Sequence, residues 1–479
     1  MIQVSDYILS EVKMLLAEID TKQLLISLLK LHHAMIYWSK LTQRRYESLS
    51  KAYSFLDATF DNQLDYVNEY SEMNTLTQGM IETIVLNGIH NTGGKPGLEK
   101  LDRLFALMHF SLNMGIYMDQ LGEKIKGSEL TILKNGRLVM PRPIINKLNA
   151  YFYRLRELSM RNPELYTKLH NLMPTFSINT NDEIFIKAYK AQFGISFEMY
   201  CKILTASIDY ACYNKKPVMV LPEKEFFERI CAGIVDEEKA KVFKANFVLK
   251  EDLNNGDLKF SDRWVQRFNR PVQVTARPWI LFDGNIYYST KTLYESWMIR
   301  VERLNNGTVV NTTPEMEKLV SKVNYEKGRE FTINIKGLYE SLSLDYLYVN
   351  SEVKIMPGKL LNSTKQLGDI DILLINKKTK QIVCIEAKNF SESRTVYELI
   401  QQNRKIVTKE LSHVIERDVW CKGNVDKFKL YVPEVDAQYS VKTIFLTYHE
   451  NAYKYFEHDQ VNDITFLSAI DIVADPMIV

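Results

Sequence analysis

The chain has 479 residues, 46% of them hydrophobic and 25% charged, and a formal net charge of +2. That length exceeds one ordinary core and implies two or three units of roughly 100 to 200 residues. A nearly neutral total excludes reading a nucleic-acid role from global charge and leaves it to local basic surface.

From about residue 5 to 125, apolar residues recur at helical spacing (Ile8, Leu9, Val12, Leu15, Leu16, Ile19, then Leu24, Leu25, Leu28, Leu29), which predicts packed amphipathic helices. The loop NGIHNTGGKPG at 87–97 invites comparison with a phosphate-cradling loop, but its glycines and lysine are wrongly spaced and it follows no strand. It reads as a helix connection. His32 and His33 are adjacent, so on a helix their side chains diverge by about 100° and cannot form an i, i+4 metal pair. Residues 129–140 alternate around Asn135-Gly136, a hairpin signal. One helix is predicted over about 182–213, and a second hairpin turns at Asp283-Gly284 within 279–289. The expected division is a helical domain at 1–125, a mixed region with β-hairpins at 126–305 and a further domain at 306–479.

That last boundary rests on the polar stretch NNGTVVNTTPEME at 305–317, which ends in a helix start: Thr313 as cap, Pro314 in the first turn, Glu315 and Glu317 at the positive end. The elements that follow are a helix to about 342, strands at 351–356, 370–375 and 381–387, a helix at about 394–417, and strands at 441–447 and near 464–469. The fold class is α+β and multidomain, mostly helical at first, with an αβββαβ unit last: a mixed sheet flanked by helices.

Within it, IDILLI and QIVCIE are near-continuous apolar runs, the pattern of strands covered on both faces. If the NKKTKQ connection is centred between Lys378 and Thr379, antiparallel register pairs Ile375 with Ile382, Leu373 with Cys384, and Asp371 with Glu386. Cross-strand β-carbons lie about 4.5–5.5 Å apart, so two acids then meet at the end of a buried hairpin, an arrangement that is unfavourable unaided. Alternation places Lys388 on the face of Glu386 and Asp369 on the face of Asp371. The lysine offsets one charge, and a divalent cation would offset the rest. Oxygen ligands suit magnesium or manganese rather than zinc, and the chemistry implied is phosphodiester hydrolysis. Against this stands the plainer reading of a surface salt-bridge cluster at strand ends.

Gly368-Asp369-Ile370-Asp371 followed by Ile385-Glu386-Ala387-Lys388 resembles the active-site signature of the PD-(D/E)xK nuclease superfamily, and the element order over about 313–470 resembles its restriction-endonuclease-like core. No proline precedes Asp371. The resemblance implies that Asp371 and Glu386 bind the metal, that Lys388 is the catalytic lysine and that Asp369 supports them. It further implies Glu330, in Lys-Gly-Arg-Glu-Phe at 327–331, as an outer metal ligand, and Gln402, or its neighbour Gln401, beside the site on the following helix. Arg394, Arg404, Lys405 and Lys409 on that helix could meet phosphates, although interleaved Glu398, Glu410 and Glu416 equally describe a solvated face.

The expectation is therefore a cytoplasmic, magnesium- or manganese-dependent nuclease. It acts on nucleic acid, DNA ahead of RNA, and belongs loosely with bacterial or phage defence. The helical half would serve recognition, regulation, homodimerisation or a protein partner, and no membrane is involved. Two rivals stand beside it: a silent nucleic-acid-binding module, and a scaffold acting through residues 1–305.

Overall fold

The computed structural model describes residues 2–52, 57–122, 162–253, 273–310, 312–393, 396–458 and 463–478, with isolated positions at 125, 131–132, 134, 138–139 and 158. Along the chain, α1 (Ile2–Ala17), α2 (Thr21–Ala52), α3 (Asp57–Leu86) and α4 (Leu98–Gly122) precede the short pair β1 (Thr131–Ile132) and β2 (Leu138–Val139). Then come α5 (Pro163–Asn171), α6 (Glu183–Phe193), α7 (Phe197–Tyr213), β3 (Val218–Pro222), α8 (Glu223–Arg229), α9 (Glu237–Phe247), β4 (Val248–Leu249), β5 (Trp279–Phe282), β6 (Asn285–Ser289) and α10 (Thr290–Asn305). The remainder is α11 (Pro314–Ser341), β7 (Leu347–Ile355), β8 (Gly368–Asn376), β9 (Gln381–Lys388), α12 (Val396–Lys405), a π turn at Ile406–Glu410, α13 (Leu411–Gly423), β10 (Ser440–Thr447), β11 (Thr465–Ser468) and α14 (Ala469–Ala474). Among the described residues no helix is long and apolar enough to cross a membrane.

Two compact units divide the chain: Met1–Met118 with Ile178–Ser321, and Asp119–Ser177 with Lys322–Val479. These differ from the expected three segments. Cuts fall at 118/119 and 321/322, near the expected borders, but the early helices and the strands after residue 178 share one core instead of forming separate domains, and the described residues of 119–177 group with the C-terminal unit.

In the first unit a four-stranded sheet, β3-β6-β5-β4, is covered on both faces. Val218, Ile280, Phe282 and Tyr287 pack with the buried leucines and isoleucines of α1 to α4. Met219, Leu221, Trp279, Ile286 and Tyr288 pack with α7 to α9. The hairpin expected at 279–289 is present: Phe282 pairs with Asn285 across Asp283 (φ 48°) and Gly284 (φ 69°), the two positive φ values that a tight type I′ turn requires. The loop at 87–97 is the helix connection it was read as. Asp20 N donates to Gly94 O and Gly94 N to Glu18 O, and a Cβ on Gly93 would lie 2.5 Å from the Glu18 carbonyl. The single helix expected over 182–213 is instead two. Gly194 (φ 73°) ends α6 in the left-handed conformation, and Ser196 caps α7 by accepting from Met199 N. The hairpin expected at 129–140 has its strands paired, Thr131 with Val139 and Ile132 with Leu138; its tip, Asn135-Gly136, lies outside the described residues.

The second unit is built on a five-stranded sheet ordered β11-β10-β9-β8-β7. β7, β8 and β9 run antiparallel in sequence, whereas β9, β10 and β11 are parallel. Parallel β9 and β10 need a crossover, which α12 and α13 supply. Ile372, Leu374, Val383, Ile385 and Ala387 bury one face against Phe331, Ile335 and Tyr339 of α11, with Ile470, Ile472 and Val473 of α14 in the same core. Leu373, Ile375, Ile382 and Cys384 bury the other against Cys421, Phe428 and Val432. Both central strands are thus interior, which is why their sequences lack polar alternation. The helix expected at 394–417 is observed as α12, the π turn and α13; its first two residues lie outside the described set.

Candidate functional site

The β8–β9 connection sets the register. Asn376 Oδ1 accepts from Lys378 N and Thr379 N, an Asx turn that closes the hairpin and leaves Asn376 paired with Gln381. Ile375 then pairs with Ile382, Leu373 with Cys384 and Ile372 with Ile385, the register read from the sequence. The ladder stops there, one step before Asp371 and Glu386.

Asp371 occupies an irregular point of β8. On its other side the β7 register runs from Ser351↔Ile372 to Val353↔Ile370, omitting Glu352 and Asp371, and Glu352 has φ 52°. A non-glycine residue held there costs about 1–3 kcal/mol, and such positions collect at functional sites. Side-chain alternation slips at the same place: Ile370 packs with Leu373 and Ile375, whereas Ile372 and Leu374 pack on the opposite face. Freed from the ladder, the Asp371 carboxylate reaches across to β9, where Oδ2 accepts from Ala387 N at 2.7 Å. Burial first, then the neighbouring Glu386 charge, raises its pKa from 3.8 to about 7, against the opposing pull of Lys388 and the Ala387 hydrogen bond.

Glu386 is buried on β9 and carries a cation on each oxygen. Oε1 lies 2.7 Å from Lys388 Nζ, and Oε2 is paired with Arg417 Nη2 from α13. The second arm of Arg417, Nη1, donates to Asp369 O on β8. Asp369 therefore enters the cluster through its carbonyl, while its carboxylate adds a lesser upward push on Asp371. Lys388 has a second acid beside it, Glu410 Oε2 at 3.5 Å, contributed by the end of the π turn. Burial works against the ammonium, but Glu386 and Asp371 outweigh it and hold its pKa above the usual lysine value. π turns inside helices are frequently found at functional sites.

Other residues proposed from the sequence are placed differently. Glu330 turns both oxygens onto the 175–176 loop: Oε1 accepts from Thr175 N (2.9 Å) and Oγ1 (2.6 Å), and Oε2 from Phe176 N (3.0 Å). Burial resists the charge, but these bonds prevail and lower its pKa. Its visible partners are structural, and among the described residues no three His, Cys, Asp or Glu groups gather into a metal cage. Gln402 is buried; its Nε2 donates to Ser391 O at 3.4 Å, tethering the loop just after Lys388, while its Oε1 has no hydrogen-bond partner. Arg404, Lys405 and Lys409 are exposed, with Lys405 Nζ 4.9 Å from the centre of the Phe390 ring. Arg394 lies outside the described residues.

Comparisons of the chain with family models, with curated proteins and with solved structures gave no match. The site's own chemistry is what remains. Magnesium is commonly held by one or two carboxylates with the rest of its shell water; Asp371 and Glu386 offer such oxygen donors, and the Asp371 carboxyl, its pKa raised by burial and then by Glu386, is a group whose charge a divalent cation would stabilise. The donor set therefore fits a hard ion through these two residues.

Arg417 escaped the sequence reading altogether. Glu410 was visible only as one acid on a mixed helix face. Their spacing, seven residues or about two turns, puts them on one side of a helix, and that is the only local signal either carries.

Proposed function

We propose that the second unit is a metal-dependent nuclease of the PD-(D/E)xK, restriction-endonuclease-like kind, hydrolysing phosphodiester bonds in nucleic acid, DNA ahead of RNA. The observation that carries this reading is the gathering of Asp371, Glu386 and Lys388 at the open end of a hairpin whose body is buried on both faces. Asp371 and Glu386 would hold the ion. A magnesium or manganese ion there supplies a polarised phosphoryl oxygen and a bound water of lowered pKa. Lys388, kept cationic by the two carboxylates, suits holding an anionic oxygen or the attacking water in line better than accepting a proton. Glu410 keeps its ammonium from folding wholly onto Glu386. Arg404, Lys405 and Lys409 are exposed on the same stretch of chain, where they would meet the phosphate backbone. A double-strand cut would call for two copies of the site, hence a homodimer. Placement in bacterial or phage defence rests on association alone.

The test is incubation of the purified chain with plasmid, linear and single-stranded DNA and with RNA, in manganese. Divalent-dependent cleavage that drops roughly 10²–10³-fold in Lys388→Ala supports the reading. Identical products from wild type and Lys388→Ala assign the cleavage to a contaminant and end it.

One observation favours a second reading. Both oxygens of Glu386 are already matched by Lys388 and Arg417, as in a structural buried ion pair, and the unit would then bind nucleic acid without cutting it. In that case Glu386→Ala leaves nucleic-acid affinity unchanged and no heat of manganese binding is measured in wild type.

A further inference from the structure

Arg417 reaches both strands at once from outside the sheet. From α13 it grips the Asp369 carbonyl of β8 and Glu386 Oε2 of β9, at the level where the β8–β9 ladder has stopped. Its side chain is only one-tenth exposed. The neighbouring acid on its own helix does not compete for it: Asp418 is engaged by Thr443 Oγ1 at 2.7 Å and Lys422 Nζ at 2.8 Å. Gly368, whose φ of 85° suits glycine, leaves the room; a Cβ there would sit 3.4 Å from Arg417 Nη1.

The consequence concerns Glu386. With Oε1 on Lys388, the oxygen left for a divalent ion is Oε2, and Arg417 holds it. We propose, resting on the nuclease reading above, that Arg417 is a positioning residue that gates the metal site: it competes with the divalent ion for Glu386 Oε2, and the ion binds as the guanidinium lets go. The Asp369 carbonyl is the anchor that keeps Arg417 beside the site after release, so the exchange is reversible. A planar fork is suited to this because its second arm stays bonded while the first moves.

The test is calorimetric titration of the full chain with manganese. Arg417→Met removes the competing cation while keeping an unbranched apolar stem; it is expected to bind manganese at least 10-fold more tightly than wild type, and to be stabilised against heat by manganese more than wild type is. Arg417→Lys, the milder variant should methionine fail to fold, keeps one charge but lacks the fork, and its affinity is expected to lie between the two. The gain must vanish when Glu386→Gln is added. Equal or weaker binding by either Arg417 variant overturns the gate. If wild type binds manganese and Glu386→Gln abolishes it, that failure touches the gate alone; if wild type binds none and the Arg417 variants bind none, the metal reading falls with it.

Discussion

Two groups of interacting polar side chains lie in the two units, and they have been handled in opposite ways. In the first unit His32 is fully buried: its Nδ1 is 2.9 Å from Thr292 Oγ1, its Nε2 is 3.0 Å from Gln78 Nε2 and 3.5 Å from Glu295 Oε2. Burial lowers the His32 pKa from 6.5 to about 3 and raises that of Glu295 from 4.5 to about 7. Charge there is suppressed, and the His32–Glu295 approach is not an ion pair at neutral pH. In the second unit Glu386 is paired with Lys388 and Arg417, the neighbouring carboxylates hold the Lys388 ammonium charged against its burial, and burial followed by the Glu386 charge pushes Asp371 toward neutrality. Perturbed pKa values alone do not mark a site, since both clusters have them. What separates them is the pairing of cations with a carboxylate at a strand end.

If that contrast is right, damage to the first cluster costs stability and damage to the second costs chemistry. The largest stability effect belongs to His32→Leu, which removes the ring partner of half-buried Gln78 and one of the partners of buried Thr292; a loss of about 2–4 kcal/mol is expected in urea unfolding. A loss below about 0.5 kcal/mol would show the network to be dispensable. Next comes pH. The folded His32 pKa lies below its unfolded value, so the unfolded state binds the extra proton between about pH 6.5 and 3, and the His32 contribution to stability falls as the solution is acidified through that window, opposed by Glu295, whose raised pKa has the other sign. From pH 7 to 4.5 the loss assigned to His32 is about 2–3 kcal/mol, and it is absent from His32→Gln. Asp371 has the opposite sign. Its folded pKa is raised, so its contribution is present below about pH 4 and is lost as pH rises through 7. Without divalent ions, Asp371→Asn should therefore be more stable than wild type at pH 8 by about 1–2 kcal/mol, discounted for partial exposure. An Asn variant less stable than wild type at pH 8 would mean that Asp371 is held as a carboxylate. The smallest effect is expected of Glu330→Gln: about 1 kcal/mol from the weakened 175–176 loop bonds, with manganese affinity unchanged in the same titration.

The sequence revealed most where physics is local or strictly periodic. The register of β8 on β9 as far as Ile372 and Ile385 follows from two apolar runs and a short polar turn, and the tight turn at Asp283-Gly284 was legible for the same reason. The break in the ladder just before Asp371 and Glu386 carried no sequence signal. Gly194 and Ser196 carried ordinary stop and start signals for α6 and α7, overridden in the reading by the strong apolar period on either side. What stayed hidden was non-local. The Glu330 partners lie 154 and 155 residues earlier in the chain, and the use of Arg417 depends on how α13 packs over the end of β9. The grouping of segments was hidden likewise, because early helices and later strands share a core that no local signal announces.

The most direct test is where manganese sits in crystals soaked with it, read from its anomalous scattering. The account predicts one peak at about 2.0–2.3 Å from an oxygen of each of Asp371 and Glu386, with Lys388 Nζ beside it and Glu386 Oε2 turned from Arg417. A peak elsewhere, or Glu386 still paired on both oxygens with no peak after a soak at saturating manganese, contradicts it.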